Sequence, residues 1–77
     1  MKVRVYPPSF ADSGALDDEG FLELNEGCVL DDVYTALRIT FPLKHIVLCF
    51  VNYERAILSA RLEDGDIVSF FSIVSGG

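Results

Sequence analysis

The sequence contains few of the side chains from which most active sites are built. Its only histidine, His45, stands beside Lys44 at the start of a predicted strand, and no serine or cysteine is an obvious partner for it. A surface or edge position is therefore favoured over a catalytic base. The carboxylates are scattered through loops and no spacing typical of metal ligands occurs, so no metal site is predicted.

Cysteine is also scarce. Cys28 and Cys49 are too few for a secreted disulfide scaffold and lack the paired spacing of a zinc site. Reduced, buried thiols are the favoured interpretation, because free cysteine is among the most buried residue types. Cys28 stands just before a predicted helix, whose N-terminus could lower the pKa of a thiol, so a reactive role for Cys28 stays open.

The six glycines form no phosphate-binding loop. Gly65 lies between Asp64 and Asp66, whose negative charges would repel a phosphate group. We therefore expect the protein to bind no cofactor by itself.

Basic residues are few. Six Lys and Arg stand against twelve Asp and Glu, which gives a formal net charge of -6 and a sequence pI near 4.4. Such a surface repels phosphate backbones, so nucleic-acid binding is not expected. The net charge favours a protein partner with a basic docking face, because complementary charge raises the rate of encounter.

Long apolar runs are missing as well. No run approaches the ~20 residues of a membrane span, and the first residues, MKVRVYPP, turn polar and proline-rich too early for a signal peptide. The expectation is a cytoplasmic protein with no membrane partner.

The patterns that are present are those of one small α+β domain, since 77 residues suffice for a single core. Alternation of polar and apolar residues predicts strands over 2–6 and 21–25. Apolar residues at helical spacing predict one helix that is buried on one side: Leu30, Val33, Leu37 and Phe41.

Two later segments, 44–51 and 67–74, carry β-branched and aromatic residues on both faces, which predicts strands near the middle of a sheet. One further short strand is expected within 56–66. A single helix covers only one face of such a sheet, so the other face is predicted to be an exposed apolar binding surface. The alternative is that loops 7–20 or 53–66 fold over that face.

The last residues, Val74-Ser75-Gly76-Gly77, suggest chemistry at a terminal carboxylate. A carboxylate is a poor electrophile, but its attack on ATP gives an acyl-adenylate that a sulfur nucleophile can displace. Glycine suits a tail that enters the narrow active site of another enzyme, because it has no side chain to clash. A strand that leads into the tail fixes its direction and leaves its tip mobile.

Several segments carry a resemblance to a known family: VN at 51 and 52, LEDGDIV at 62–68, FF at 70 and 71, and the terminal SGG. With the order of the elements, they resemble the small sulfur carriers of the ubiquitin-like β-grasp class. The small subunit of molybdopterin synthase is the most similar type, and the thiamine-pathway sulfur carrier is the nearest relative. Ser72 and Ile73 stand where prolines are common in that family.

The resemblance implies an α+β, β-grasp fold, with a mixed four- to five-stranded sheet packed on one main helix. Residues 1–74 would form the single domain and residues 75–77 a flexible Gly-Gly tail. Val68 and Phe70 would then face the helix. The opposite face would present a partner interface made by Leu48, Phe50, Phe71 and Ile73.

The resemblance also implies a role for the tail. Gly77 would be adenylated by a ubiquitin-activating-like adenylyltransferase, which uses ATP, and would then carry sulfur as a thiocarboxylate. Ser75 and Gly76 would line the passage of the tail into that partner. A cysteine desulfurase or a rhodanese would donate the sulfur, and the large subunit of molybdopterin synthase would receive it. The chain would then be a sulfur-donating subunit and not a complete enzyme.

Three alternatives stay open. The same chemistry could serve the biosynthesis of thiamine, of a tungsten cofactor or of an amino acid. The tail could instead form isopeptide bonds, as in a ubiquitin-like protein modifier. The chain could also be a β-grasp interaction domain whose terminal glycines have no chemical role.

Overall fold

The computed structural model describes residues 1–8, 11–40, 44 and 46–72, with Ser72 described for its backbone only. The regular elements in chain order are β1 (Lys2–Tyr6), β2 (Phe21–Glu23), α1 (Leu30–Ala36), β3 (Val47–Val51), β4 (Glu54–Arg55) and β5 (Ile67–Ser72). A 3-10 turn, Ser13–Ala15, lies between β1 and β2. The predicted boundary between the domain and its tail at residue 74 lies outside the described residues and stays a prediction.

The strands form one mixed sheet in the order β2-β1-β5-β3-β4. β5 lies in the middle, parallel to β1 on one side and antiparallel to β3 on the other. The outer pairs, β1 with β2 and β3 with β4, are antiparallel hairpin-type pairs. The predicted mixed sheet on a single main helix is therefore present, with five strands.

The core lies between α1 and one face of this sheet. The helix contributes Leu30 and Val33, both fully buried, and Leu37 directly follows it. The sheet contributes alternate residues of each long strand, as the period of two requires: Val3, Val5, Leu22, Val47, Cys49, Val68 and Phe70. The edge of the Tyr34 ring meets the Phe70 ring at a centroid distance of 5.2 Å, which ties the helix to β5.

The helix is shorter than the sequence pattern predicts. Phe41 fits the helical period, but the structure ends α1 at Ala36. Arg38 has a left-handed backbone with φ of 58°. The Ile39 N–H donates to the Tyr34 carbonyl (2.9 Å), and the Arg38 N–H donates to the Thr35 carbonyl (3.1 Å). These two bonds form a Schellman motif, which satisfies the last carbonyls of the helix and turns the chain away.

Replacing Arg38 by glycine should stabilise the protein. A side chain in the left-handed region costs about 1–2 kcal/mol, which glycine avoids, although glycine also gains entropy in the unfolded state. The ion pair from Arg38 Nε to Asp12 Oδ2 (3.3 Å) is exposed and contributes little. We expect Arg38→Gly to raise the free energy of unfolding by about 0.5 kcal/mol in urea titrations. Arg38→Ala, which keeps the strain and loses the ion pair, should show no gain, and an equal gain in both variants would contradict this explanation.

The short strand predicted within 56–66 lies earlier, at β4. Asn52 and Tyr53 both have positive φ, 53° and 69°, which is the geometry of a tight two-residue hairpin turn. The segment after β4 runs instead to the start of α1, where the Leu30 N–H donates to the Ala60 carbonyl (2.9 Å). Two residues are too few for an alternation to be visible in the sequence.

Candidate docking face and carboxyl-terminal tail

The two phenylalanines of β5 lie on opposite faces of the sheet. Phe70 is 7% exposed and points to α1, as does the fully buried Val68, whereas Phe71 is 57% exposed on the opposite face. The sequence predicts this division. One set of β5 side chains therefore packs in the core, and Phe71 lies exposed on the opposite face.

Leu48, Phe50 and Phe71 form the predicted apolar patch on the face that α1 does not cover, here called the open face. Leu48 lies directly across from Phe71 in the β3–β5 register, and the Phe50 and Phe71 rings meet edge to face at 5.4 Å. A groove of about 430 Å³ runs over the patch, and Tyr53 and Ser69 complete its lining. The three predicted residues are thus brought together; their contact with a partner stays a prediction.

Apart from Tyr53, which lines the groove on the open face, the described core contacts of both long loops lie on the helix side. The Asp12 N–H donates to the carbonyl of Leu37, at the end of the helix (2.9 Å), and Ala11 and Leu16 pack against the core. In the second loop, Leu62 is itself a core residue, 3% exposed. The alternative in which these loops cover the open face is therefore wrong for the part of the chain that the structure describes.

A turn formed by Asp64, Gly65 and Asp66 directly precedes β5. Gly65 has φ of 87°, a value that favours glycine. The Asp66 carboxylate accepts hydrogen bonds from the Asn52 side-chain amide (2.9 Å) and from the Glu63 N–H (2.8 Å). The Asn52 side-chain oxygen in turn accepts from the Ile67 N–H (3.0 Å). The VN and DGD segments thus link the end of β3 to the start of β5.

The tail itself lies outside the described residues. Ile73, Ser75, Gly76 and Gly77, which the sequence predicts as interface and reacting residues, are therefore not placed by the structure. His45 is outside as well. What is shown is the strand that leads toward the tail, in the centre of the sheet, as far as the backbone of Ser72.

The two cysteines have different surroundings. Cys49 is 3% exposed beneath the helix, and burial raises its pKa to about 12. Burial likewise raises the pKa of Tyr34, which hydrogen-bonds to Cys49, to about 12. Cys49 is thus a protonated structural thiol, as the sequence predicts. Cys28 is half-buried, two residues before the helix.

The raised pKa of Cys49 predicts a loss of stability in alkali. Its folded-state pKa lies above the ordinary 9.0, so the stabilisation is complete below pH 9 and is lost as the pH rises toward 12. We expect the free energy of unfolding, measured by urea titration, to fall less steeply above pH 9 in Cys49→Ala than in the wild type. Cys28→Ala is the matched control and should keep the wild-type slope. Identical slopes in all three proteins would contradict the assignment.

One cluster on the open face was not predicted from the sequence. The Arg4 guanidinium lies over the rings of Phe21 (5.1 Å) and Tyr6 (5.7 Å), and its Nε donates to the Tyr6 hydroxyl (3.1 Å). In the sequence, only the alternation of β1 points to this cluster, because it places Arg4 and Tyr6 on the face of the strand that the buried Val3 and Val5 do not share. Phe21 joins them only through the register of β1 with β2.

Comparisons with known proteins agree with this geometry. Residues 10–77 match the model of the ThiS family. The crystal structure of SAMP1 from Haloferax volcanii is similar, with a TM-score of 0.62 and 18% identity, over 100% of this chain and 98% of that chain. The crystal structure of the thiamine biosynthesis protein ThiS from Geobacter metallireducens has a TM-score of 0.64 and 18% identity, over 100% of both chains. No curated protein matches the chain.

The two structural neighbours confirm the β-grasp fold. Among the described residues, no helix has the length and apolar character needed to span a membrane. The family model covers β2, α1, β3, β4 and β5 and extends to residue 77, so the chain belongs to the ThiS family of ubiquitin-like sulfur carriers.

Proposed function

We propose that the chain carries sulfur on a thiocarboxylate at Gly77 and delivers it as the small subunit of a molybdopterin synthase. The thiocarboxylate chemistry is supported by the family match, which extends over the terminal Gly-Gly sequence. The geometry of β5 supports it, because the strand that leads toward the tail lies in the centre of the sheet and is held on both sides by other strands. Fully extended, the five residues after Ser72 span at most about 18 Å, enough to enter a partner's active site.

The proposed activation needs a partner with ATP. A Gly77 carboxylate oxygen attacks the α-phosphorus, an acyl-phosphate bond forms, and pyrophosphate leaves. Hydrosulfide then attacks the carbonyl carbon, a C–S bond forms, and AMP leaves with the electron pair of the broken C–O bond. If the sulfur comes as the persulfide of a cysteine desulfurase or rhodanese, the product is an acyl disulfide. A second thiol releases the thiocarboxylate from it and is itself oxidised to a disulfide.

In this scheme the chain supplies the carboxylate and the docking face, and the partners supply catalysis. A ubiquitin-activating-like adenylyltransferase binds ATP, and the large subunit of molybdopterin synthase takes up the sulfur. The open face, with its exposed apolar patch, fits a subunit that must dock on more than one partner. The resemblance of the sequence to the small subunit of molybdopterin synthase favours the molybdopterin role.

Thiamine biosynthesis is the second candidate. The family model and the Geobacter metallireducens structure, whose name refers to thiamine biosynthesis, favour it. Both candidates share the thiocarboxylate and differ in the acceptor. Isopeptide-bond formation is a third outcome, which branched Gly-Gly remnants on digested proteins would reveal.

The deciding experiment loads the tail and then offers acceptors. The chain is incubated with ATP, the adenylyltransferase and a sulfur donor, and intact-protein mass spectrometry should show one oxygen replaced by sulfur. The loaded chain is then given to the large subunit of molybdopterin synthase and, separately, to the thiamine-pathway acceptor. Loss of sulfur only to the first supports the molybdopterin role, and loss only to the second overturns it. No loading at all would contradict the sulfur-carrier chemistry.

A further inference from the structure

Basic residues outnumber acidic ones at the strand positions of the open face, on a protein that is strongly acidic overall. The strand positions that share this face include three of the six basic residues, Lys2, Arg4 and Arg55, and one of the twelve acidic residues, Glu23. Arg55 belongs to the set because it lies directly across from Phe50, and directly opposed side chains share a face. The remaining surface must then carry an even larger negative excess than the net charge indicates.

Among the described residues, Arg4 forms no salt bridge with an acidic side chain. Lys2 lies across from Glu23 in the β1–β2 register. All twelve Asp and Glu lie within the described residues, where the ion pairs are Arg38 with Asp12 and Lys44 with Asp31, and Arg4 belongs to neither. On a chain so rich in carboxylates, Arg4 is held instead by two aromatic rings.

Those rings and one hydrogen bond restrict the orientation of the guanidinium. Its central carbon lies 5.1 Å from the Phe21 ring and 5.7 Å from the Tyr6 ring, and its Nε donates a hydrogen bond to the Tyr6 hydroxyl. The remaining N–H donors of a guanidinium are arranged as a planar fork that matches a carboxylate. Ordering this long side chain before a partner arrives lowers the entropic cost of binding.

Arg4 and the apolar patch lie on the same face and are joined through β5. Tyr6 is across from Ser69 in the β1–β5 register, and Ser69 is across from Phe50 in the β3–β5 register. A single partner surface can therefore cover both. We propose, on the basis of the sulfur-carrier function above, that this face docks a protein that sets an Asp or Glu carboxylate against Arg4 and an apolar side chain into the groove.

This inference reverses the expectation drawn from net charge. The net charge of -6 favours a basic partner surface, but the excess of basic residues at the strand positions of the open face favours an acidic one. The rest of the surface, with its excess of carboxylates, then disfavours docking of such a partner in any other orientation. The orientation that remains is the one in which the open face meets the partner.

The test uses the adenylyltransferase and pyrophosphate exchange, with the KM for the chain measured separately from kcat. Arg4→Glu should raise KM at least about tenfold and leave kcat within twofold. Arg61→Glu is the matched control, because Arg61 is exposed beside Val29 at the start of the helix and gives the same charge change. Its KM should stay within twofold. Arg4→Lys, which keeps the charge without the planar fork, and Tyr6→Phe, which removes the hydrogen-bond acceptor, should fall in between.

The outcomes separate the possibilities. If Arg4→Glu and Arg61→Glu both lower KM, the partner surface is basic and the proposal is wrong. If Arg4→Glu alone lowers KM, Arg4 holds the chain's own terminal carboxylate, which also overturns it. If Arg4→Glu unfolds at the same temperature as the wild type and its KM is unchanged, the proposal is also wrong. Absence of exchange with the wild-type chain would instead refute the proposed function, and the inference with it.

Discussion

Deletion of Gly77 should abolish thiocarboxylate formation and leave the fold intact. The shortened chain still ends in a glycine carboxylate, that of Gly76, so the functional group is kept. Its position is not, because one residue of extended chain spans ~3.5 Å. A misplacement of about 1 Å can reduce the rate of an oriented reaction roughly 10²-fold, so we expect a loss of at least that size. Mass spectrometry of the loaded chain and pyrophosphate exchange both measure it.

The control for this deletion is Ser75→Ala, which alters the tail and keeps its length. It should load at a rate close to that of the wild type. Thermal unfolding should be the same in all three proteins, because neither change touches the core cluster that the structure describes, which runs from Val3 to Phe70. Normal loading of the deleted chain would favour an interaction domain whose glycines have no chemical role.

The buried half of the molecule was predictable from the sequence because strands have a period of two. That period places Phe70 and Phe71 on opposite faces of β5, and it does the same for the valines and lysine of β1. It also places Leu48 and Phe50 on a common face of β3. The family resemblance added which face the helix covers, and therefore which residues form the apolar patch.

The features that the sequence did not predict depend on local competition or on tertiary register. Phe41 continues the apolar spacing of α1, but a Schellman motif around Arg38 ends the helix earlier, and arginine gives no sign of a left-handed residue. The Arg4 cluster forms only when β2 brings Phe21 beside β1. The tail, residues 73–77, is included in the family match but lies outside the residues that the structure describes.

Substitutions of the two adjacent phenylalanines of β5 should affect stability and docking separately. Phe70→Ala removes a buried ring that contacts Tyr34, and such truncations cost about 3–5 kcal/mol of unfolding free energy. That is a large part of the stability of a small domain. Phe70→Leu, which retains most of the volume, should cost less and remain folded. Urea titration measures the loss in each case.

Phe71→Ala makes the same chemical change one residue along and should have the opposite effects. Its ring is 57% exposed and contacts Phe50, so its removal should cost no more than about 1 kcal/mol of stability. An exposed aromatic ring at the centre of a docking face is typical of a binding hot spot, which predicts a KM for the adenylyltransferase raised at least about tenfold. Phe70→Leu, once folded, should keep the wild-type KM because it does not reach the open face. Equal KM values for Phe71→Ala and the wild type would exclude the apolar patch from the docking surface and leave the tail as the only contact that the proposal requires.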